Sequence, residues 1–226
     1  MTAYVVAPPP PTALPVEGGG LFPVRRIYCV GRNYADHARE MGADPDREPP
    51  FFFSKPRDAV IAAEAAPYPP ATADLHHEVE LVLAVGGAGA DLTPEEAGSL
   101  IFGAAVGVDL TRRDLQAEAK KAGRPWDMAK GFDASAPIGL IRPGPAPQAG
   151  AIDLSVNGEK RQSGDLSWMI WSNAEILSHL SGLVRLEPGD LVFTGTPAGV
   201  GAVGPGEQIE AHAGDLPPLR FRLFKA

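Results

Sequence analysis

The sequence predicts an α+β fold that is mostly β, with a few short helices. Three observations lead there. The chain of 226 residues holds 26 glycines and 24 prolines, a density of turn formers that suits a strand-rich fold better than a helical bundle. Its apolar runs are mostly of strand length and bounded by those turn formers. Only four stretches carry helix signals. Hydrophobic residues at 44% and charged residues at 21% exclude disorder for the body of the chain. The length fits one large domain with a substantial core, and no shift in composition marks a second.

The elements follow in order. Residues 1–24 contain Pro8-Pro9-Pro10-Pro11 and Gly18-Gly19-Gly20, which predict an extended Pro/Gly-rich arm with polyproline character. Residues 25–226 form the folded body. It opens with a strand at Arg26-Ile27-Tyr28-Cys29-Val30 and a short helix over residues 33–41, which Gly42 ends as a C-terminal cap. Phe51-Phe52-Phe53 is expected as a short buried strand. Thr93-Pro94-Glu95-Glu96 opens a helix with threonine at the cap, proline in the first turn and Glu96 completing a capping box. Thr111 is expected to cap a helix that runs through Lys121 and stops at Gly123 and Pro125, and another helix runs from near Ser172 to Gly182. Strands are expected at residues 138–141, 152–156, 191–194, 208–211 and 219–224, with Asn157-Gly158 as a tight hairpin turn.

The single cysteine, Cys29, permits no internal disulfide and reads as a small buried thiol. No basic segment precedes an apolar stretch at the N-terminus, and no run approaches the length of a membrane span. A soluble cytoplasmic protein without a membrane partner is expected. A net charge of -8 argues against nucleic acid as a partner. It also means that an anionic substrate needs local positive charge.

Glu78, Glu80 and Asp109 carry the strongest chemical signal. In His77-Glu78-Val79-Glu80-Leu81-Val82-Leu83 the two glutamates share one face of a strand whose remaining residues are apolar. Two such charges ~5 Å apart, at an effective dielectric near 20, oppose each other by roughly 3 kcal/mol. A divalent cation removes the conflict. Asp109 ends a second apolar run, and three carboxylates suit a hard ion, Mg²⁺ or Mn²⁺. No His or Cys pair has the spacing of a zinc site.

His37 and Glu40 lie three residues apart on the first short helix and face the same way. They fit a base with the carboxylate that orients it, or a surface ion pair. Lys130, in Trp126-Asp127-Met128-Ala129-Lys130-Gly131-Phe132, has surroundings too apolar for a solvated side chain. A buried cation there pairs with the metal-site carboxylates, with a substrate carboxylate or with a developing oxyanion. Arg112, Arg113, Gln116 and Lys120 form a polar stripe on the helix after Asp109, expected to be solvated except at Gln116. Phe193-Thr194-Gly195-Thr196-Pro197-Ala198-Gly199-Val200-Gly201 offers backbone N–H groups to an anion but lacks the Walker A ending.

Gly31-Arg32-Asn33-Tyr34, His76-His77-Glu78-Val79-Glu80, Gly107 to Asp114, Trp126 to Phe132 and Thr194 to Gly201 occur in an order that resembles the fumarylacetoacetate hydrolase family. The likeness spans residues 25 to about 212 and is strongest to short members acting on acylpyruvates or oxaloacetate, fumarylpyruvate hydrolases among them. It implies a mixed β-sandwich or roll, a homodimer and a role in aromatic catabolism. It also implies Glu78, Glu80 and Asp109 as Mg²⁺ or Mn²⁺ ligands, and His37 with Glu40 as the water-activating dyad on a lid. Lys130 and Gln116 would flank the substrate, and Arg32 and Thr196 would contact its carboxylate end. The implied activity is hydrolysis of the C–C bond of a 2,4-dioxo acid, most of all fumarylpyruvate, to pyruvate and a second acid. Oxaloacetate decarboxylation or oxo-acid isomerisation at the same site is the alternative.

Overall fold

The computed structural model describes residues 4–35 and 48–225. His37 and Glu40, with most of the helix expected over residues 33–41, lie outside the described residues. Two sheets dominate. The first has six strands in the order Arg142–Pro143, Ile101–Val108, Val79–Val85, Asp190–Phe193, Arg26–Gly31 and Phe51–Lys55. All its pairings are antiparallel except that of Asp190–Phe193 with Arg26–Gly31. The second has five strands, Glu159–Asp165, Ala151–Val156, Gln208–Ala213, Leu219–Lys225 and Ala65–Tyr68. Only the last pairing there is parallel. The result is a mixed β-sandwich.

Side-chain parity explains the layering. In Val79–Val85, Leu81, Leu83 and Val85 join the large core facing the five-stranded sheet. Val82 and Ala84 point the other way, into a smaller core with Ile27, Cys29, Leu191 and Phe193. The strand is therefore buried on both faces, which accounts for its continuous apolar run. The five-stranded sheet instead buries alternate residues, Ile152, Leu154 and Val156 on one strand and Ile209, Ala211 and Ala213 on the next. Its other face meets solvent.

Several expectations hold. Thr93 caps Pro94–Ser99 with a full capping box, Ser172 does the same for Asn173–Ser181, and Gly123 ends Arg113–Ala122 at φ 62°. Asn157 and Gly158, at φ 52° and 81°, turn the hairpin between Ala151–Val156 and Glu159–Asp165, as a two-residue turn with both angles positive should.

Four differ. Within the expected arm, Ala13–Pro15 and Leu21–Pro23 pair as a hairpin, because Leu14 and Phe22 close the smaller core. Phe51–Lys55 is an edge strand with Phe51 37% exposed, not a buried one. Residues 138–141 connect short pairings at Ala136–Pro137 and Arg142–Pro143 and touch the main sheet through a single bridge, Ile138 to Gly107. Thr111 does not cap the helix: it sits in the two-residue strand Thr111–Arg112 opposite His76, and the helix begins without a side-chain cap. Its hydroxyl is engaged elsewhere.

Candidate active site

Strand register assembles the acidic triad. Val79 pairs with Val108 and Glu80 with Gly107, and the Asp109 amide donates to the Glu78 carbonyl at 2.8 Å. Glu78 and Glu80 therefore share a face of the sheet, and Asp109 stands across from Glu78 on that same face. It is the face of the smaller core, at its open end. Gly107 leaves room opposite Glu80, since a Cβ there would fall 2.5 Å from Val82 Cγ2 and 2.8 Å from Phe193 Cε1. One carboxylate oxygen from each of Glu78, Glu80 and Asp109 lies within 4.8 Å of the others, and all three residues are buried.

Cations surround two of the three acids. Lys130 Nζ donates to Glu78 Oε2 at 2.8 Å, Asp109 Oδ2 at 2.6 Å and Thr111 Oγ1 at 2.7 Å. This is the work that takes Thr111 away from the helix start. Burial pulls the Lys130 ammonium down, but Asp109 and Glu78 outweigh it and hold its pKa above the ordinary lysine value. Lys130 is thus a charged, buried partner of the triad. Arg113 pairs with Glu78 and donates to Gln116 Oε1 at 2.6 Å. Lys55 Nζ lies 2.7 Å from Asp109 Oδ1 and donates to the Leu110 carbonyl at 3.2 Å and to that of Lys130.

Glu80 differs from its neighbours. Among the described residues no cation contacts it; its Oε2 accepts the Gly195 N–H at 2.6 Å. Burial first, then the charges of Asp109 and Glu78, raise its pKa well above the usual carboxylate range. Asp109 Oδ1, although paired with Lys55, receives no hydrogen bond. A buried acid without a cation, a buried oxygen without a donor and an all-oxygen set fit a hard divalent ion.

The Gly-rich turn after Phe193 does turn a backbone N–H, that of Gly195, on a carboxyl group, and that group is Glu80. Gly195 adopts φ 101°, and a Cβ on it would meet Asn33 Cβ at 2.7 Å. Buried Asn33 ties the region together, donating to Trp171 O at 3.0 Å and Thr194 O at 2.8 Å while accepting from Trp171 N at 2.7 Å.

The triad opens into a pocket whose walls include Arg32, Phe51, Arg113, Gln116, Trp126 and Thr196. Of the residues singled out in the sequence, Arg32, Gln116, Lys130 and Thr196 therefore converge on Glu78 and Glu80. Arg32 has φ 63°, a strained angle for a side chain that large, and its guanidinium lies 5.5 Å from the centre of the Phe51 ring. That ring packs on Gly31, where a Cβ would be 2.0 Å from its tip.

Lys55, Arg113 and Gln162 escaped the sequence reading. The argument made for Lys130 applies equally to Lys55, a lysine two residues after three phenylalanines, and would have found it. Arg113 reads in the sequence as part of the solvated stripe because nothing local shows that the helix start abuts Glu78. Gln162 gave no signal at all. It is fully buried on the strand Glu159–Asp165, where Oε1 accepts from His77 Nδ1 at 2.8 Å and Val79 N at 3.0 Å. Its Nε2 donates to Thr196 Oγ1 at 2.8 Å and Pro197 O at 3.0 Å. The five-stranded sheet thereby positions both the glutamate strand and Thr196.

Residues 26–224 match the family described as fumarylacetoacetate (FAA) hydrolase C-terminal. The mitochondrial oxaloacetate tautomerase of Rattus norvegicus is 43% identical over 207 residues, 89% of this chain and 93% of that protein. A fumarylpyruvate hydrolase from a Ralstonia species is 44% identical over 174 residues, 75% of this chain and 91% of that protein. The crystal structure of fumarylpyruvate hydrolase from Pseudomonas aeruginosa in complex with Mn²⁺ and pyruvate superposes with a TM-score of 0.95 at 50% identity, covering 99% of this chain and 100% of that one. Shared fold and sequence across the whole body place the chain in the fumarylacetoacetate hydrolase family.

Proposed function

We propose that this protein is a metal-dependent hydrolase that cleaves the C–C bond of acylpyruvates, with fumarylpyruvate as the foremost substrate, to give pyruvate and a carboxylic acid. The observation that carries this reading is the buried Glu78, Glu80 and Asp109 cluster beside a charged Lys130 at the floor of a cation-lined pocket. Glu78, Glu80 and Asp109 would hold Mn²⁺ or Mg²⁺, which supplies Lewis-acid polarisation and a fixed positive charge when bound. Similarity to a protein crystallised with Mn²⁺ and pyruvate supports that choice of ion and product.

The chain's own residues then divide the work. His37, oriented by Glu40, takes a proton from water, whose oxygen attacks the C4 carbonyl. Lys130 stabilises the charge that develops on the C4 carbonyl oxygen. Collapse of the tetrahedral centre breaks the C3–C4 bond, the electron pair stays with the pyruvate fragment, and the proton held by His37 returns to it. Gln116 and Thr196 hold the substrate, and Arg32 meets a carboxylate. The reading includes a cytoplasmic homodimer acting in aromatic catabolism; a monomer by light scattering at micromolar concentration would remove the dimer from it.

The likeness to an oxaloacetate tautomerase favours one second reading, in which the same site moves protons on, or decarboxylates, a C4 oxo acid without an attacking water. The test is pyruvate release from fumarylpyruvate, acetylpyruvate and oxaloacetate with Mn²⁺, with Mg²⁺ and with chelator. Replacing His37 by alanine should slow acylpyruvate cleavage about a hundredfold, the range for a lost general base, and slow oxaloacetate decarboxylation much less. Equal losses on both would reassign the dyad to substrate positioning.

A further inference from the structure

Among the described residues four cations line the pocket, and two of them pair with carboxylates. Arg113 and Lys130 pair with the triad. Arg32 and Lys120 also line it, and among the described residues neither has a carboxylate within ion-pair reach. Each lies instead against an aromatic ring, Arg32 at 5.5 Å from Phe51 and Lys120 at 5.2 Å from Trp126. Phe51 and Phe53 meet Trp126 edge-on, with centroids 5.6 and 6.1 Å apart. The pocket thus runs from an acidic floor along an aromatic wall to a cationic rim.

The helix Arg113–Ala122 sets the scale. Arg113, Gln116 and Lys120 follow the i, i+3, i+7 pattern of one helix face, and all three line the pocket. Arg113 touches Glu78, Gln116 accepts from Arg113, and Lys120 stands about 10 Å farther along the axis than Arg113 at 1.5 Å per residue. That is the reach of an extended chain of six or seven carbons whose other end rests at the triad.

Resting on the reading above, we propose that Lys120 is a specificity-determining residue that binds a second, distal carboxylate, so that the site selects dianionic acylpyruvates with a flat unsaturated acyl chain over monoanionic ones. The aromatic wall of Phe51 and Trp126 suits a planar conjugated chain. A bound carboxylate also relieves an unfavourable arrangement, because burial and the charges of Arg113 and Arg32 lower the pKa of Lys120. Fumaryl and acetyl groups differ in the two features this rim would sense, the planar chain and the terminal charge.

The experiment measures kcat and KM for fumarylpyruvate and acetylpyruvate on the Mn²⁺-loaded wild type, Lys120→Met and Lys120→Arg. The expected result is a fall of about tenfold to a hundredfold in the fumarylpyruvate-to-acetylpyruvate ratio of kcat/KM for Lys120→Met, the range of a charge-assisted hydrogen bond. It should be carried mainly by KM, with the preference kept in Lys120→Arg. Added salt should raise the wild-type KM for fumarylpyruvate more than that for acetylpyruvate. An unchanged ratio in Lys120→Met, or equal loss on both substrates, overturns the inference while leaving the hydrolase reading intact. If the wild type cleaves neither acylpyruvate, the hydrolase reading itself fails and the inference falls with it.

Discussion

The two ends of the antiparallel pair formed by Val79–Val85 and Ile101–Val108 are built on opposite terms. At one end Leu81, Leu83, Ala104 and Val106 are fully or almost fully buried among apolar neighbours. At the other, Glu78, Glu80 and Asp109 are as deeply buried but stand among Lys55, Lys130 and Arg113. The apolar end gains from burial at every step and needs nothing more. The acidic end loses hydration and recovers it only through its partners; among the described residues the cations cover Glu78 and Asp109, and Glu80 has only the Gly195 N–H. One ladder therefore carries a half that is complete by itself and a half that calls for a further positive charge.

The sharpest break in that contrast comes at Glu80. Glu80→Gln replaces the one acid of the triad that no cation among the described residues contacts, and keeps the volume. Activity should fall by more than about a hundredfold, beyond what the loss of a mere outer partner of a metal ligand costs. Divalent-ion affinity should fall with it, while the metal-free variant melts no lower than the metal-free wild type. A clear drop in melting temperature without metal would mean that Glu80 supports the fold, and the contrast would be lost.

Truncation at the two ends should respond differently to metal. Leu83→Ala should cost about 2–5 kcal/mol of stability, with the same loss whether Mn²⁺ is present or absent. Lys55→Met strands Asp109 beside one cation fewer and should cost about 3 kcal/mol without metal, as breaking a buried pair does, and less when Mn²⁺ replaces the missing charge. Denaturant melts with and without Mn²⁺ measure both. Identical metal dependence for the two variants would show that Lys55 acts through packing alone.

How much of this was legible in the sequence follows the same division. Glu78 and Glu80 declared themselves because their signal is local, two acids at strand spacing in an apolar run, and Asp109 because it ends a second such run. The helices capped by Thr93 and Ser172 were readable for the same reason. Thr111 was misread because a threonine before a helix is locally indistinguishable from a cap, and only Lys130, nineteen residues on, decides its role. Gln162 lies 85 residues from His77, so its place as a hub depends on how the two sheets pack. The hairpin at Ala13–Pro15 and Leu21–Pro23 was hidden by its prolines and glycines, which spell an arm until Leu14 and Phe22 find a core. Periodicity reports which face a residue takes, not which distant residue waits there.

The smallest expected effect concerns pH, and its sign sets the two ends of the ladder apart most cleanly. Glu80 has a raised pKa in the fold and an ordinary one near 4.3 when unfolded, so between those values the folded chain binds the extra proton. Stability of the metal-free protein from this group is then greatest at acid pH and falls as pH rises, by at most about 1.4 kcal/mol per unit for one proton. His76 and His77 act in the opposite sense. Burial lowers both pKa values, so below about 6.5 the unfolded chain takes up protons the fold does not, and stability from them falls with acid. The comparison to make is therefore wild type against Glu80→Gln, in which the histidine contribution cancels. Their difference in unfolding free energy, followed from pH 5 to pH 8 without metal, should move steadily against the wild type as pH rises. With saturating Mn²⁺ the trend should reverse, because an ion bound by the ionised carboxylate favours the deprotonated form and its binding releases a proton. A metal-free difference that stays flat across this range would place Glu80 as ionised and already compensated, and the acidic end would need no ion to complete it.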